Sequence, residues 1–204
     1  MERSVNPQPD IWHLSRSALG HKDSQDMMVM YEQVFCFTRT RRAPMSSEQG
    51  VIIQTFTNLD AEHMTLLLEA DPSERIIHDV FTHSRAYEIR VGQALAGAML
   101  LIRPVTDALE IADISVNRAF RRQGLGSRLI ERAKMETVGL GLSRLEVGTG
   151  STSFGALCFY QTCGFRMDRI VRDYFVDRYQ QPIVENGITL KDMVRLSWCL
   201  QQPE

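Results

Sequence analysis

Several things are scarce in this chain, and each shortage removes a class of function. In 204 residues no apolar run approaches the roughly 18–20 residues that a membrane-crossing helix needs. The opening stretch MERSVNPQPDIWHLSRSALG has no continuous apolar core, so it does not read as a secretion signal. Neither sign of charge is in excess: the formal net charge is -2, which argues against a nucleic-acid-binding protein. Cysteine is sparse. Cys36, Cys158, Cys163 and Cys199 form no CxxC pair and have no histidine at ligand spacing, so no metal is expected. Free thiols in a reducing cytoplasm are the favoured reading. The histidines, His13, His21, His63, His78 and His83, show no carboxylate partner by spacing, and surface or helix-face roles are expected for them. No internal repeat is present.

What remains is ordinary globular material, 44% hydrophobic and 24% charged, enough to bury one good core. Residues 1–44 read as an N-terminal extension. Its VNPQPD and TRTRRAPMSS stretches are loop-like, and SQDMMVMYEQVFCF between them is a candidate helix capped by Ser24. Residues 45–204 read as the main domain. VIIQTF is strand-like, and DAEHMTLLLEA is a helix with Asp60 as N-cap. DPSERIIHDVFTH is a second helix, with Asp71 as N-cap, Pro72 at the first helical position and Glu74 closing a capping box. AYEIRV and ALAGAMLLIRPV are strands joined in a hairpin at Gly92-Gln93. ALEIADISV is a strand, GSRLIERAKMETVGL a helix, SRLEVGT a strand and SFGALCFYQTC a short helix ended by Gly164. FRMDRIVRDYFV and ITLKDMVRLSWCL read as a final antiparallel pair. Early hairpins followed by alternating strands and helices predict an α/β (α+β) fold, a mixed sheet with helices on its faces.

The stretch NRAFRRQGLGSRLIERA is the informative one. Gly124 and Gly126 leave the backbone uncovered as it turns into a helix, so successive N–H groups can converge on an anion, with the helix dipole adding to the attraction. Arg121, Arg122 and Arg128 surround the turn with positive charge. A glycine-rich helix entrance with solvated arginines is the plainer alternative, because short glycine motifs recur by chance. Two familiar phosphate loops do not apply. No Lys-Ser or Lys-Thr follows the glycines, and neither a third glycine nor the acidic residue of a dinucleotide fingerprint is present.

ISVNRAFRRQGLGSRLI resembles the signature of the GNAT superfamily of acyl-CoA-dependent N-acyltransferases. An I-x-V step, here Ile114, Ser115 and Val116, is followed in register by Arg121, Gly124 and Gly126. Arg118 stands where proline is common in the family. Downstream, SFGALCFYQTCGF is similar to a second family motif through Ala156, Tyr160, Gly164 and Phe165, with Ser153 in place of the usual asparagine. The resemblance covers about residues 51–199 and implies a GNAT-like, mostly antiparallel central sheet flanked by helices.

The resemblance further implies acetyl-CoA as co-substrate. Its pyrophosphate would sit on the amides of Arg122, Gln123, Gly124, Leu125, Gly126 and Ser127, and its pantetheine arm beside Ile114, Ser115 and Val116. Ser153 and Ala156 would add cofactor contacts. Tyr160 is the candidate acid for the leaving thiolate, with a core tyrosine as the competing reading. Glu110 is the candidate base. Counting by twos from Val116 puts it on one face with Ile114 and Ala112 if the strand is unbent, and puts Asp113 on the other; a bulge would scramble that parity. The expected activity is N-acetyltransfer to a primary amine of a small molecule or a protein. Protein N-terminal or lysine acetylation specifically, and a non-catalytic CoA-binding module, stay open as alternatives. An open peptide groove would favour a protein acceptor; a closed anionic pocket would favour a polyamine or aminoglycoside. No nucleic-acid or membrane partner is expected. Oligomeric state stays open, a homodimer being one option.

Overall fold

The computed structural model describes residues 50–104 and 107–200. The helix expected from Ser24 onward lies outside the described residues. The elements run β1 (Val51–Thr55), α1 (Ala61–Leu67), α2 (Glu74–Thr82), β2 (Arg85–Val91), β3 (Ala94–Ile102), β4 (Ala108–Val116), α3 (Leu125–Gly139), β5 (Arg144–Gly150), α4 (Phe154–Thr162), β6 (Arg166–Val171), α5 (Tyr174–Arg178), β7 (Val184–Glu185), β8 (Ile188–Thr189) and β9 (Met193–Cys199). Seven strands form one sheet in the order β1-β2-β3-β4-β5-β9-β6. Every pairing in it is antiparallel except β4 with β5. β7 and β8 pair only with each other.

Two apolar clusters cover the two faces of the sheet. On one face α3 lays Leu125, Leu129, Ile130 and Ala133 against Ile89, Met99, Leu109 and Ile111. On the other, Leu66, Leu67 and Ile77 of α1 and α2 cover Ala98 and Leu100. Leu129 and Ile130 are wholly buried, so truncating either to alanine costs about 2–5 kcal/mol through lost contacts and an unfilled cavity. No helix among the described residues is long and apolar enough to cross a membrane.

Local sequence signals set most boundaries. Asp60 caps α1, its carboxylate accepting from the N–H groups of Glu62 and His63. Val91 pairs with Ala94 across the expected Gly92-Gln93 hairpin, and Gly164, with φ +86°, ends α4.

Three expectations are corrected. α2 is capped by Ser73 and starts at Glu74, so Asp71 is not its cap and Pro72 lies ahead of the helix. Asp71 is occupied otherwise, one oxygen accepting from Ser73 N–H at 2.9 Å and the other from the Tyr179 hydroxyl at 2.9 Å. The final antiparallel pair is shorter than its apolar pattern suggests: β6 stops at Val171 and β9 begins at Met193, with α5 and the β7–β8 hairpin between them. A left-handed Asp173 (φ 56°), whose N–H is held by Asp192 Oδ1, turns the chain into α5. His63, expected at a surface or on a helix face, is buried on α1. It lies between Asp60 Oδ1 at 2.8 Å and Glu88 Oε2 at 3.0 Å, stacked on Phe56.

Candidate active site

The site begins where two strands part. β4 pairs with β5 from Ala108↔Arg144 to Ile111↔Val147, but β4 continues to Val116 and β5 to Gly150 without pairing with each other. The sheet therefore forks beyond Ile111. On its other edge β4 remains on β3, and Asn117 donates its N–H to Ala96 O at 3.0 Å. Alternate residues of such a ladder bond to alternate sides, so Val116 and Ile114 present their peptide groups to the opening. The Val116 carbonyl indeed leaves the ladder and accepts from Arg121 Nε at 2.8 Å.

The glycine turn stands at the mouth of this fork. Arg122 (φ 64°) and Gly124 (φ 79°) are both left-handed, which rotates successive N–H groups toward one side. Gly124 is the N-cap of α3, and no side chain caps that helix. The N–H groups of Leu125, Gly126 and Ser127 thus lack intrahelical acceptors and carry the positive end of a 15-residue helix dipole. Gly126 has a separate reason to be glycine: a Cβ there would come within 3.1 Å of the Phe159 ring, so its absence lets α3 and α4 meet. Arg121 also binds Glu69 at 2.6 Å, tying the turn to the end of α1, while Gln123 bonds back to Ala119 O. Open-edge peptide groups beside an uncapped helix start fit an extended thioester arm ending in a diphosphate.

Behind the fork lies a cavity of about 730 Å³. Its lining includes Ala112, Asp113 and Ile114 of β4, Ser153, Ala156 and Tyr160 at α4, and residues of α5 and β7. Leu100 pairs with Asp113 but Leu101 with Ile111, so Ala112 is an extra, bulged residue in β4. The bulge overturns the counting by twos. Ile114 and Val116 pack toward α3 along with Leu109 and Ile111, while Glu110 and Asp113 fall together on the opposite face.

The two carboxyls have unlike surroundings. Glu110 is ion-paired with Arg195 of β9 at 2.5 Å, and Arg195 also binds Glu146 of β5 at 2.7 Å. Burial opposes the charge on Glu146, yet Arg195 and Arg144 hold its carboxyl below the usual range. Asp113 is 8% exposed, and its Oδ1 has no hydrogen-bond partner among the described residues. Burial, then the charge of Asp71, pushes its carboxyl well above the ordinary carboxylate range, against a smaller opposing effect of the Ile114 N–H.

Tyr160 is 6% exposed and lines the cavity, with Phe165 edge-on at 5.9 Å. Burial, followed by the nearby Asp113 and Cys163, raises its phenol above the usual value, so it stays protonated at neutral pH. Its hydroxyl has no hydrogen-bond partner among the described residues. Ser153 donates to Glu185 at 2.5 Å, and Thr152 donates to the same carboxylate oxygen at 3.1 Å.

The far wall is the part that sequence patterning missed. Tyr174, Phe175, Arg178 and Tyr179 from α5 and its end, with Glu185 from β7, close the cavity. Tyr179 is bonded to Asp71, and Asn186 Nδ2 donates to Thr152 O at 2.9 Å. A signal for the hairpin was present: Asn186 (φ 52°) and Gly187 (φ 75°) form the two-residue Asn-Gly turn that such hairpins favour.

The comparisons agree with this geometry. The model of the acetyltransferase (GNAT) family matches residues 53–165. The chain is 38% identical over 148 residues to the uncharacterized N-acetyltransferase YvbK of Bacillus subtilis, covering 72% of this chain and 96% of that protein. A Bacillus subtilis acetyltransferase solved in complex with CoA is 35% identical with a TM-score of 0.71, over 74% of this chain and 100% of that one. A GNAT acetyltransferase from Elizabethkingia anophelis with acetyl-CoA bound is 33% identical with a TM-score of 0.70, over 74% and 98% of the two chains. An IAA acetyltransferase from Bacillus cereus is 37% identical with a TM-score of 0.69, over 74% and 100%. Together with the forked sheet and the uncapped helix at its mouth, these matches make the protein an acyltransferase, and the chain belongs to the GNAT acetyltransferase family.

Proposed function

We propose that the protein moves an acetyl group from acetyl-CoA to the primary amine of a small molecule by direct attack of the nitrogen on the thioester. The observation that carries this reading is the fork itself. One mouth offers the peptide groups of Ile114 and Val116 and the uncapped start of α3; the other opens into a walled cavity. Acetyl-CoA, the co-substrate of this family, lies along the first, with its diphosphate on the amides from Arg122 to Ser127. Ala156 lines the space near the fork, whereas Ser153 serves it from behind by holding Glu185.

Tyr160 acts as the acid. An unpartnered phenol kept neutral by burial can give its proton to the departing sulfur, and it is replenished by a proton from the nitrogen that has formed the new bond. Two features favour a small acceptor over a protein lysine or N-terminus. α5 and the β7–β8 hairpin wall the cavity where a peptide would need an open groove, and they are tied down through Asp71 and Thr152. An unpartnered phenol in the cavity also weighs against a binding module that has lost turnover.

Calorimetry with acetyl-CoA and thiol release in the presence of an amine panel test the reading. Tyr160→Phe should lower kcat by about 100-fold, some 2.7 kcal/mol, while leaving the Kd for acetyl-CoA unchanged. Undiminished kcat in the variant would remove Tyr160 from the reaction, and failure of the protein to take up acetyl-CoA would remove the reading itself.

A further inference from the structure

Among the described residues, five carboxyls line the cavity: Glu69, Asp71, Glu110, Asp113 and Glu185. Two of them are neutralised from outside, Glu69 by Arg121 and Glu110 by Arg195. Asp71, Asp113 and Glu185 make no ion pair with any described residue, and the lining brings a single guanidinium, Arg178, which lies over the Tyr174 ring. The cavity therefore carries more carboxyls than cationic partners, and at its buried member, Asp113, attraction for a cation is stronger than in open water.

Asp113 turns this excess into a site. Its carboxyl is more than nine-tenths buried and borders the cavity, and Oδ1 lacks any hydrogen-bond partner among the described residues. A buried polar atom left in that state costs free energy unless something supplies a donor. The Ala112 bulge is what turns Asp113 to the face it shares with Glu110, and it does so at the residue after the last β4–β5 pair. Asp71, from the segment joining α1 to α2, is close enough to raise the Asp113 carboxyl and is steadied by the Tyr179 hydroxyl.

We infer that Asp113, assisted by Asp71, is the ammonium-binding and proton-accepting carboxyl of the acceptor site, and that the acceptor is a small amine carrying a second positive charge. This rests on the acetyltransferase reading above. The entering ammonium, R–NH3+, pairs with the Asp113 carboxylate and passes it one proton. The free amine then forms the C–N bond at the thioester carbonyl, and the C–S bond breaks with its electron pair going to sulfur. The second nitrogen proton replaces the one that Tyr160 gives to the thiolate. R–NH3+ and the acetyl thioester thus become the amide, the thiol and one proton, which leaves from Asp113. Glu110 is less well placed to meet the ammonium because its carboxylate is already engaged by the Arg195 guanidinium. The second cationic end of the acceptor is left to Glu185, whose oxygen already faces two hydroxyl donors.

The test compares 1,4-diaminobutane, 1-aminobutane and 4-aminobutanoate as acceptors of matched length. It measures kcat and KM by thiol release, and amine binding by calorimetry on the CoA-loaded protein. The diamine should exceed the monoamine in kcat/KM by at least about tenfold and the zwitterion by more, since only the diamine satisfies the charge excess. Asp113→Asn should lower kcat/KM for the diamine by about 100-fold or more, keep the Kd for acetyl-CoA, and abolish calorimetric binding of the diamine. Its rate should also climb continuously with pH, because only amine already neutral in solution can react. The titratable and charged groups that share the cavity with Asp113 are Asp71 and Glu69 from the α1–α2 side, Glu110 on its own strand, and Tyr160 from α4. Tyr174, Arg178 and Tyr179 around α5 and Glu185 of β7 complete them. Diamine bound no better than monoamine, full turnover in Asp113→Asn, or a larger loss in Glu110→Gln than in Asp113→Asn would each overturn the inference. Any of these with acetyl-CoA still bound leaves the acetyltransferase reading standing; loss of acetyl-CoA binding in the wild type is what would remove that.

Discussion

The two mouths of the β4–β5 fork are made of different materials. At the mouth where α3 begins, the exposed polar groups are main-chain ones, the peptide groups of Ile114, the N–H of Val116 and the amides of the Gly124 turn, and side chains matter chiefly by being small. At the other mouth the lining is made of side chains, among them Asp71, Asp113, Tyr160 and Tyr179, delivered by four separate segments. A cradle of main-chain groups tolerates few sequences, because left-handed residues and a close helix approach must recur at fixed spacing. A cavity of side chains can be assembled from almost any positions that the fold brings together. On the proposed reading, one mouth holds the common co-substrate and the other sets specificity for the acceptor.

Substitutions on each side should separate the two in a graded way. The largest effect is expected at the main-chain mouth. Gly124→Trp replaces a residue at φ +79° and covers the amides of α3, so affinity for acetyl-CoA should fall by about a thousandfold, some 4 kcal/mol, by calorimetry. Unchanged affinity would mean that the co-substrate is held elsewhere. Next comes the ion-pair network that supports the fork from β9. Arg195→Met removes a nearly buried guanidinium shared by Glu110 and Glu146 and should destabilise the fold by about 3 kcal/mol in urea unfolding. A loss under about 0.5 kcal/mol would show that the network contributes only orientation.

The acceptor mouth should respond with opposite signs in stability and activity. The folded Asp113 carboxyl binds its proton more tightly than the unfolded chain does. Stability is therefore lost as pH rises from the ordinary carboxylate range near 4 through the raised folded value, and stays lower above it. Asp113→Asn should raise Tm at about pH 8 and leave it unchanged at about pH 3. A Tm that falls at both pH values would show that the carboxylate is stabilised by partners rather than strained. The smallest effect belongs to the wall. Tyr179→Phe frees Asp71 from its hydroxyl donor and should raise the acceptor KM severalfold, about 1 kcal/mol, with kcat nearly constant; an unaltered KM would detach α5 from substrate recognition.

Legibility followed the same division. The strands from Val51 to Gly150 and helices α1, α3 and α4 could be read in order, because amphipathic spacing, an Asp60 cap and a Gly164 stop are local signals. The glycine turn and Tyr160 could be located for the same reason. The Ala112 bulge could not, since an extra residue in one strand is visible only against the register of its neighbour β3. That single residue reverses which carboxyl shares a face with which. α5 was hidden in an apolar run that also suits a strand, and only the end of the β6–β9 pairing at Val171↔Met193 decides between them. The Asp60–His63 contact, by contrast, lay in plain helical spacing, and its burial depended on Glu88 arriving from β2.

By itself the order of residues determined the alternation of strands and helices, the left-handed glycine turn and the family to which the chain belongs, because each depends on chemistry within a few residues. Only the tertiary structure decided that β4 and β5 part after Ile111, that Asp113 meets Asp71 and Tyr160 at one cavity, and that Arg195 occupies Glu110. Those outcomes depend on strand register and on burial, which set the charge a carboxyl can hold, and neither exists until distant segments have packed.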